Sequence, residues 1–401
     1  MRRHPTRRCP APGRAAAFLA LCGLCAGLLT ACASGDSQSS SNSETSAGLI
    51  SVSDSACGGR WQLARPGWHT FEIRNAGTAG AEIDLINPAN GAEYAEIENS
   101  GPGTTTPMSL NIGSGKYAFL CEFTDFNPLT GPTVTVTGHA KGAPAVLPIT
   151  FNDLVPLAKQ YQTETGAALQ VLARETGTLT AAVRAGQLAA AKGDWLTAHL
   201  QYETLGAAYG AFGNFDTEIN GRADATGVNS PQWTGFYRLE YGLWHGQSAA
   251  ELTPVANALD NDVKALVAWW PSQQISLIDL GRRTHEVLEN ALQFQLTGHD
   301  DYGSGTTLAT TAANITATRV LLSVLHPLLA PRYPGLPAVY SGLNQLQALL
   351  EKEHLANGSW VPVADLPALA HQQIDAAAGQ VLQELAPIAS IAEPRNTNRA
   401  F

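Results

Sequence analysis

The pattern of apolar and polar positions divides the chain into two parts with different periods. From Gly48 to Gly138 short segments alternate apolar and polar residues. "GWHTFEIRNAG" runs into an Asn-Ala-Gly turn, "AEIDLINPANG" ends in Pro-Ala-Asn-Gly, and "GSGKYAFLCEF" and "GPTVTVTGH" close the series. Alternation bounded by Gly, Pro and Asn reads as strands joined by turns. Roughly ninety residues of this kind predict a small β-sandwich over 48–138. From Pro148 the spacing changes to three and four, and Ile149 to Phe212 is rich in Ala and Leu with no strand-like alternation. Further helical runs are predicted at Gly235 to His245, Thr253 to Trp270, Gln274 to Leu296, Leu308 to Leu329, Gly335 to Glu353 and Leu366 to Leu385, with Gly, Pro and Asn breakers between them. The fold class is therefore multidomain β + α, a β-sandwich followed by an all-α bundle at 148–390. Bundles hold ligands between facing helices, where inward acids and histidines converge.

The first residues follow neither pattern. "MRRHPTRRCPAPGR" holds five arginines and no acid, and "AAAFLALCGLCAGLL" has the length of a signal-peptide apolar core. The run ends in "LLTAC", Leu28 to Cys32, which resembles the bacterial lipobox. Residues 1–31 are thus expected to be a lipoprotein signal peptide, with Cys32 acylated as the new N-terminus. The Ser-rich stretch 32–47 has too little apolar surface to fold and is expected to be a tether. The expected location is the cell envelope, lipid-anchored on the outer face of the cytoplasmic membrane.

Charge agrees with such a place. The whole chain carries a formal −10, and removing five cations with the signal leaves −15. An acidic surface of this kind repels nucleic acid and concentrates cations.

Of six cysteines, Cys9, Cys22 and Cys25 leave with the signal and Cys32 takes lipid, which leaves Cys57 and Cys121 as an even pair in an oxidising compartment. The β segment resembles a cupredoxin-like domain, in which a strand-end cysteine near the C-terminus helps build the metal site; "YAFLCEF" places Cys121 there. The downstream histidine and methionine ligands of a blue-copper site are missing after Cys121, so copper electron transfer is not expected. Two readings stand: a Cys57–Cys121 disulfide that staples the sandwich, or a metal site using Cys57, Cys121 and Glu82.

Most carboxylates, among them Glu164, Glu175, Asp260, Asp262 and Glu351, sit among polar residues and are expected to be solvated. Three helical segments differ. His199 and Glu203 in "WLTAHLQYETLGAAYGAF" are four apart, Tyr237 and Glu240 in "GFYRLEYGLWHG" three apart, and His285 and Glu289 in "RRTHEVLENALQFQLTG" four apart, so each pair shares a helix face. Three inward carboxylates would make a hard-oxygen cage suited to iron, manganese, calcium or magnesium rather than copper. The alternative is that each His–Glu pair is a surface ion pair. "HEVLE" begins like a zinc-peptidase HExxH helix but ends in Glu289, and no Gly-x-Ser-x-Gly elbow, Walker loop or dinucleotide fingerprint occurs. No catalytic residue is assigned, and the chain is not expected to be an enzyme.

At "WTGFYRLEYGLWHG" the chain resembles the imelysin-like helical domain of EfeO- and EfeM-type iron-uptake lipoproteins, whose hallmark is Gly-x-His-x-x-Glu. The similarity extends through "YETLGAAYGAFGNFDTEINGR" and "ALQFQLTGHDDYGSGTTLATTAANI". The resemblance implies an envelope protein that binds ferrous or ferric iron and delivers it to a membrane permease, with a haem peroxidase as a further partner. Carried over residue by residue, Gly235 and Glu240 match the motif, while Tyr237 stands at its histidine. Glu203 matches a family glutamate, Gly206 stands where many members have a second one, Asn220 where many have aspartate, and Glu289 matches a later acid. The implied metal set is Glu203, Tyr237, Glu240, Glu289 and His199. The alternative is a binding or scaffold lipoprotein whose metal site has degenerated, with Tyr237 in place of the histidine.

Overall fold

The computed structural model describes residues 45–223 and 227–395. The expected signal peptide and the lipidation at Cys32 lie outside that span.

Two sheets form the β part. The first has the order β2 (Ala56–Cys57), β1 (Thr45–Ser53), β3 (Gly67–Asn75), β6 (Thr105–Ile112), and the second β5 (Glu93–Ser100), β4 (Ala81–Ile86), β7 (Gly115–Phe123), β8 (Leu129–Thr130), with β9 (Val134–Val136) also pairing β7. β1 and β3 run parallel; the other pairs are antiparallel. The predicted alternation is seen as alternating burial along β3. Ile50, Val52, Phe71, Ile73 and Leu110 of one sheet and Ile83, Leu85 and Phe119 of the other make one shared core. β1 begins at Thr45, inside the stretch read as tether. Cys57 and Cys121 form a disulfide from β2 to β7, with Cα atoms 5.8 Å apart. The cysteines therefore join the two sheets and offer no thiolate to a metal.

The helical part opens and closes on a short parallel pairing of β10 (Ile149–Thr150) with β11 (Pro394–Arg395). α1 (Phe151–Arg184) starts at a capping box in which Thr150 and Asp153 satisfy each other's end of the helix. The long predicted run breaks at Gly186, whose φ of 73° reverses the chain into α2 (Leu188–Glu203). A 3₁₀ stretch (Gly206–Ala211) and α3 (Asn214–Asn220) lead to α4 (Gly235–Trp244). α5 (Ala249–Trp269) begins at a Ser248–Glu251 capping box, earlier than the predicted start at Thr253. α6 (Leu277–Asn290) continues as a π turn (Ala291–Gln295), followed by α7 (Thr307–Leu329), α8 (Leu336–Glu351) and α9 (Ala368–Ile391). α7 is long and apolar enough to cross a membrane, yet 72% of its apolar window is buried, as befits the central helix of a bundle. Its Leu321, Leu322 and Leu325 share a core with Leu169 and Leu172 of α1, Leu259 and Val263 of α5, and Leu385 of α9. Asp260, expected to be solvated, is instead buried on α5 and held by Lys264 at 2.7 Å. A helical partner one turn on compensates its burial, which its polar sequence neighbours did not reveal.

Candidate functional site

One hydrogen bond ties α4 to α2, a second ties its N-terminus to α3, and a glycine sets its start. Trp195 Nε1 of α2 donates to the carbonyl of Phe236 at 2.9 Å, Thr234 Oγ1 donates to the carbonyl of Glu218 at 3.0 Å, and Gly235 starts α4 at a φ of 84°. A Cβ on Gly235 would lie 2.3 Å from the Ile219 carbonyl oxygen, so both the dihedral and the close approach demand glycine. This arrangement brings His199 and Glu203 of α2 against Tyr237 of α4.

Glu203 is buried yet fully satisfied. Its Oε1 accepts the Asn220 amide at 2.9 Å and its Oε2 the Asn314 amide at 2.8 Å. His199 Nε2 is 3.2 Å from Oε1, but off the line a hydrogen bond needs, so that contact is electrostatic. Burial alone pushes the carboxyl up; His199 and the two amides outweigh it and hold Glu203 below the usual carboxylate range. The imidazole stacks on Trp195 with centroids 4.8 Å apart and meets the Tyr237 ring edge at 5.2 Å, and neither ring nitrogen has a hydrogen-bond partner.

Tyr237 is held in a second network. Its hydroxyl donates to Asp300 Oδ2 at 3.2 Å and accepts from Gln295 Nε2 at 3.3 Å, while Gln295 also donates to Asp300 Oδ2 at 3.0 Å. Arg222 clamps the same carboxylate with two bonds of 2.7 and 2.8 Å. Burial, then the charges of Glu203 and Asp300, push the phenol well above its ordinary value. Tyr237 therefore stands as a neutral donor, and phenolate ligation of a metal runs against this setting. For Arg222, partial burial acts downward, but the Asp300 clamp more than offsets it and raises the guanidinium further.

The remaining carboxylates named from sequence face elsewhere. Glu240 is buried one turn beyond Tyr237, where its Oε1 accepts the backbone N–H groups of Tyr302 at 3.1 Å and Ser304 at 3.0 Å, and its Oε2 has no hydrogen bond. Burial pushes it up to about 7 against the pull of Ser304. Glu289 has a side chain 44% exposed on α6, with His285 at 3.5 Å and Gln293 at 3.3 Å. The structure thus joins His199, Glu203 and Tyr237, turns Glu240 to the 300–304 loop, and leaves Glu289 on the surface.

Beside Glu203 and Tyr237 lies a cavity of about 300 Å³. Asn220, Asn314, Gln295 and Arg222 line it, with Asp216 and Arg283 as its other charged residues, and glycines 206, 210 and 213 border it. Sequence reading missed Arg222, Gln295, Asp300 and Asn314. Only Asn314 left a signal, as an amide inside the apolar stretch that became α7.

A bare hard cation fits this cavity poorly, because both Glu203 oxygens are engaged by amides and Asp300 by Arg222. Among the described residues, groups of three or more His, Cys, Asp or Glu side chains with ligand atoms within 4.8 Å of one another lie in the β part: Glu82, Asp84 and Glu122, and Asp84, Glu93 and Glu96. Strand register puts Glu82 opposite Glu122 and Asp84 opposite Glu96. Like charges directly opposite in a sheet repel, and a cation between them relieves the repulsion. The five carboxylates suit iron, manganese, calcium or magnesium.

Comparison with known proteins places these features in a family. The chain is 26% identical over 312 residues to the "Iron uptake system component EfeO" of Yersinia pestis, covering 77% of this chain and 81% of that protein. Against the protein of the same name in Escherichia coli O157:H7 it is 25% identical over 320 residues, covering 77% and 82%. These relatives are named for a non-enzymatic role. The family model for imelysin, whose label carries the word peptidase, matches residues 157–390, nearly the whole helical part. The chain belongs to the imelysin family.

Proposed function

We propose that this protein is the iron-binding component of an envelope iron uptake system, anchored by lipid at Cys32 and delivering iron to a membrane permease, with a haem peroxidase as a further partner. The observation that carries the reading is the convergence of Glu82, Asp84, Glu93, Glu96 and Glu122 on one sheet, in a chain whose relatives are named for iron uptake. Hard oxygens match iron in either oxidation state, and with both cysteines in the disulfide the β part offers copper no thiolate. Anaerobic titration with ferrous iron and aerobic titration with ferric iron test it. Saturable binding is expected in the wild type, weakened at least tenfold in Asp84→Asn. No saturable binding in the wild type rejects the reading. In cells, Cys32→Ser should move the protein from the membrane to the soluble extracytoplasmic fraction.

One observation favours the second reading, a binding or scaffold lipoprotein with a degenerate helical metal site: Asn220 and Asn314 already hold both oxygens of Glu203. On that reading the wild type binds no bare iron at either place, whereas the first reading expects binding that Glu203→Gln leaves unchanged. A tenfold loss in Glu203→Gln would restore the helical set of Glu203, Tyr237, Glu240, Glu289 and His199.

A further inference from the structure

The helical cavity combines features that a bare ion does not use. Its volume of about 300 Å³ is at the lower end of small-molecule sites, whereas a cage for a naked cation brings ligand atoms to within about 2.0–2.6 Å of one point. Its charged lining is balanced, with Glu203 and Asp216 against Arg222 and Arg283. Asp216 Oδ1 accepts the Tyr202 hydroxyl at 2.7 Å, and burial raises its carboxyl above the ordinary value.

Several polar atoms in this lining have unused capacity. Arg283 Nε is buried without an acceptor, although its Nη1 reaches Glu286 at 3.0 Å. Gln295 is only 4% exposed, and its Oε1 has no donor; Asn220 Oδ1 has none either. A guanidinium N–H calls for a carboxylate. The two amide oxygens call for hydroxyl or water protons. Together they describe a ligand with carboxylate and hydroxyl groups on a small frame. The approach is kept open by Gly210: a Cβ there would lie 2.5 Å from Arg283 Nη2 and push the guanidinium aside.

We propose that this cavity binds a small hydroxycarboxylate chelator carrying iron, and that Arg283 receives its carboxylate. The inference rests on the reading of the protein as an iron carrier, and it assigns the chelated form of the cargo to the helical part and the bare ion to the β part.

Calorimetry on the full mature chain tests it with three probes: ferric citrate, citrate alone, and anaerobic ferrous ion. Ferric citrate is expected to bind the wild type and Asp84→Asn equally, and to lose at least tenfold in affinity in Arg283→Gln. Gly210→Val, which displaces the same guanidinium while keeping it, should lose a similar factor. Both variants should bind ferrous ion as the wild type does, which also shows that they fold. Ferric citrate affinity within twofold of wild type in both variants overturns the proposal. So does a wild type that binds ferrous ion but not ferric citrate, and that result leaves the iron reading standing. A wild type that binds none of the iron probes rejects both.

Discussion

Glu240 shows how one residue's surroundings decide its role. The carboxylate is buried and spends one oxygen on two backbone N–H groups, leaving the other without a hydrogen bond, so burial disfavours its charged form and pushes it up to about 7. Its folded value is above the unfolded value of 4.5, so the folded state holds the proton more tightly and stability from this group is lost as pH rises from 4.5 through 7. Glu240→Gln keeps an acceptor for the loop and removes the titration. The melting temperature of the wild type should therefore fall relative to Glu240→Gln between pH 5 and pH 8; parallel pH profiles would refute the assignment. Asn220 supports a complementary prediction. Its amide donates to Glu203 where a cation would otherwise sit, so Asn220→Asp sets two carboxylates face to face and removes a donor, a loss of about 1–3 kcal/mol. If a cation can take the amide's place, iron should restore the melting temperature of Asn220→Asp and leave that of Asn220→Ala unchanged.

At the scale of the element, α4 is set by its first residue. Gly235→Ala adds a methyl group that would lie 2.3 Å from a carbonyl oxygen, at a φ that side chains avoid. The expected cost is roughly 1–3 kcal/mol, read as a lower denaturation midpoint together with a shift in the near-ultraviolet signal of Trp195, whose indole bonds the same helix. The same helix shows what was legible in the sequence. Its existence, its glycine start and the shared face of Tyr237 and Glu240 follow from spacing, because they are local. What Tyr237 and Glu240 face does not follow, since Asp300 and the 302–304 backbone come from a segment about sixty residues on, and Glu203 is reached across a helix–helix contact. The β-domain acids were hidden for a similar reason. They sit on strands whose burial does not alternate, with Asp84 fully buried on β4, and only the register of β4 with β5 and β7 sets Glu82 opposite Glu122 and Asp84 opposite Glu96. The sequence offers Glu82 only as a companion of the cysteines, because the pairing of β4 with its neighbours does not show along the chain.

At the scale of the whole molecule, the two parts have separate cores, one built by the two sheets and one by the helices. They also owe stability to different devices. The helical core is large enough to stand on apolar burial, while the sandwich is small and is cross-linked between residues 64 apart. Closing a loop of that length in the unfolded chain is worth about 4 kcal/mol in the chain-entropy picture. Reduction of the Cys57–Cys121 bond should therefore act unevenly. Calorimetry of the oxidised protein and of the Cys57→Ser, Cys121→Ser double variant should show the sandwich transition moved down by ten degrees or more, on the order of what ~4 kcal/mol does to a domain of about 100 residues. The helical transition should stay in place. Ferrous binding would fall with the sandwich, because Asp84 and Glu122 converge only when β4 and β7 are paired, whereas ferric citrate binding would persist. A single transition that shifts as one would mean that the two cores unfold together, and binding of both probes would then be lost at the same temperature.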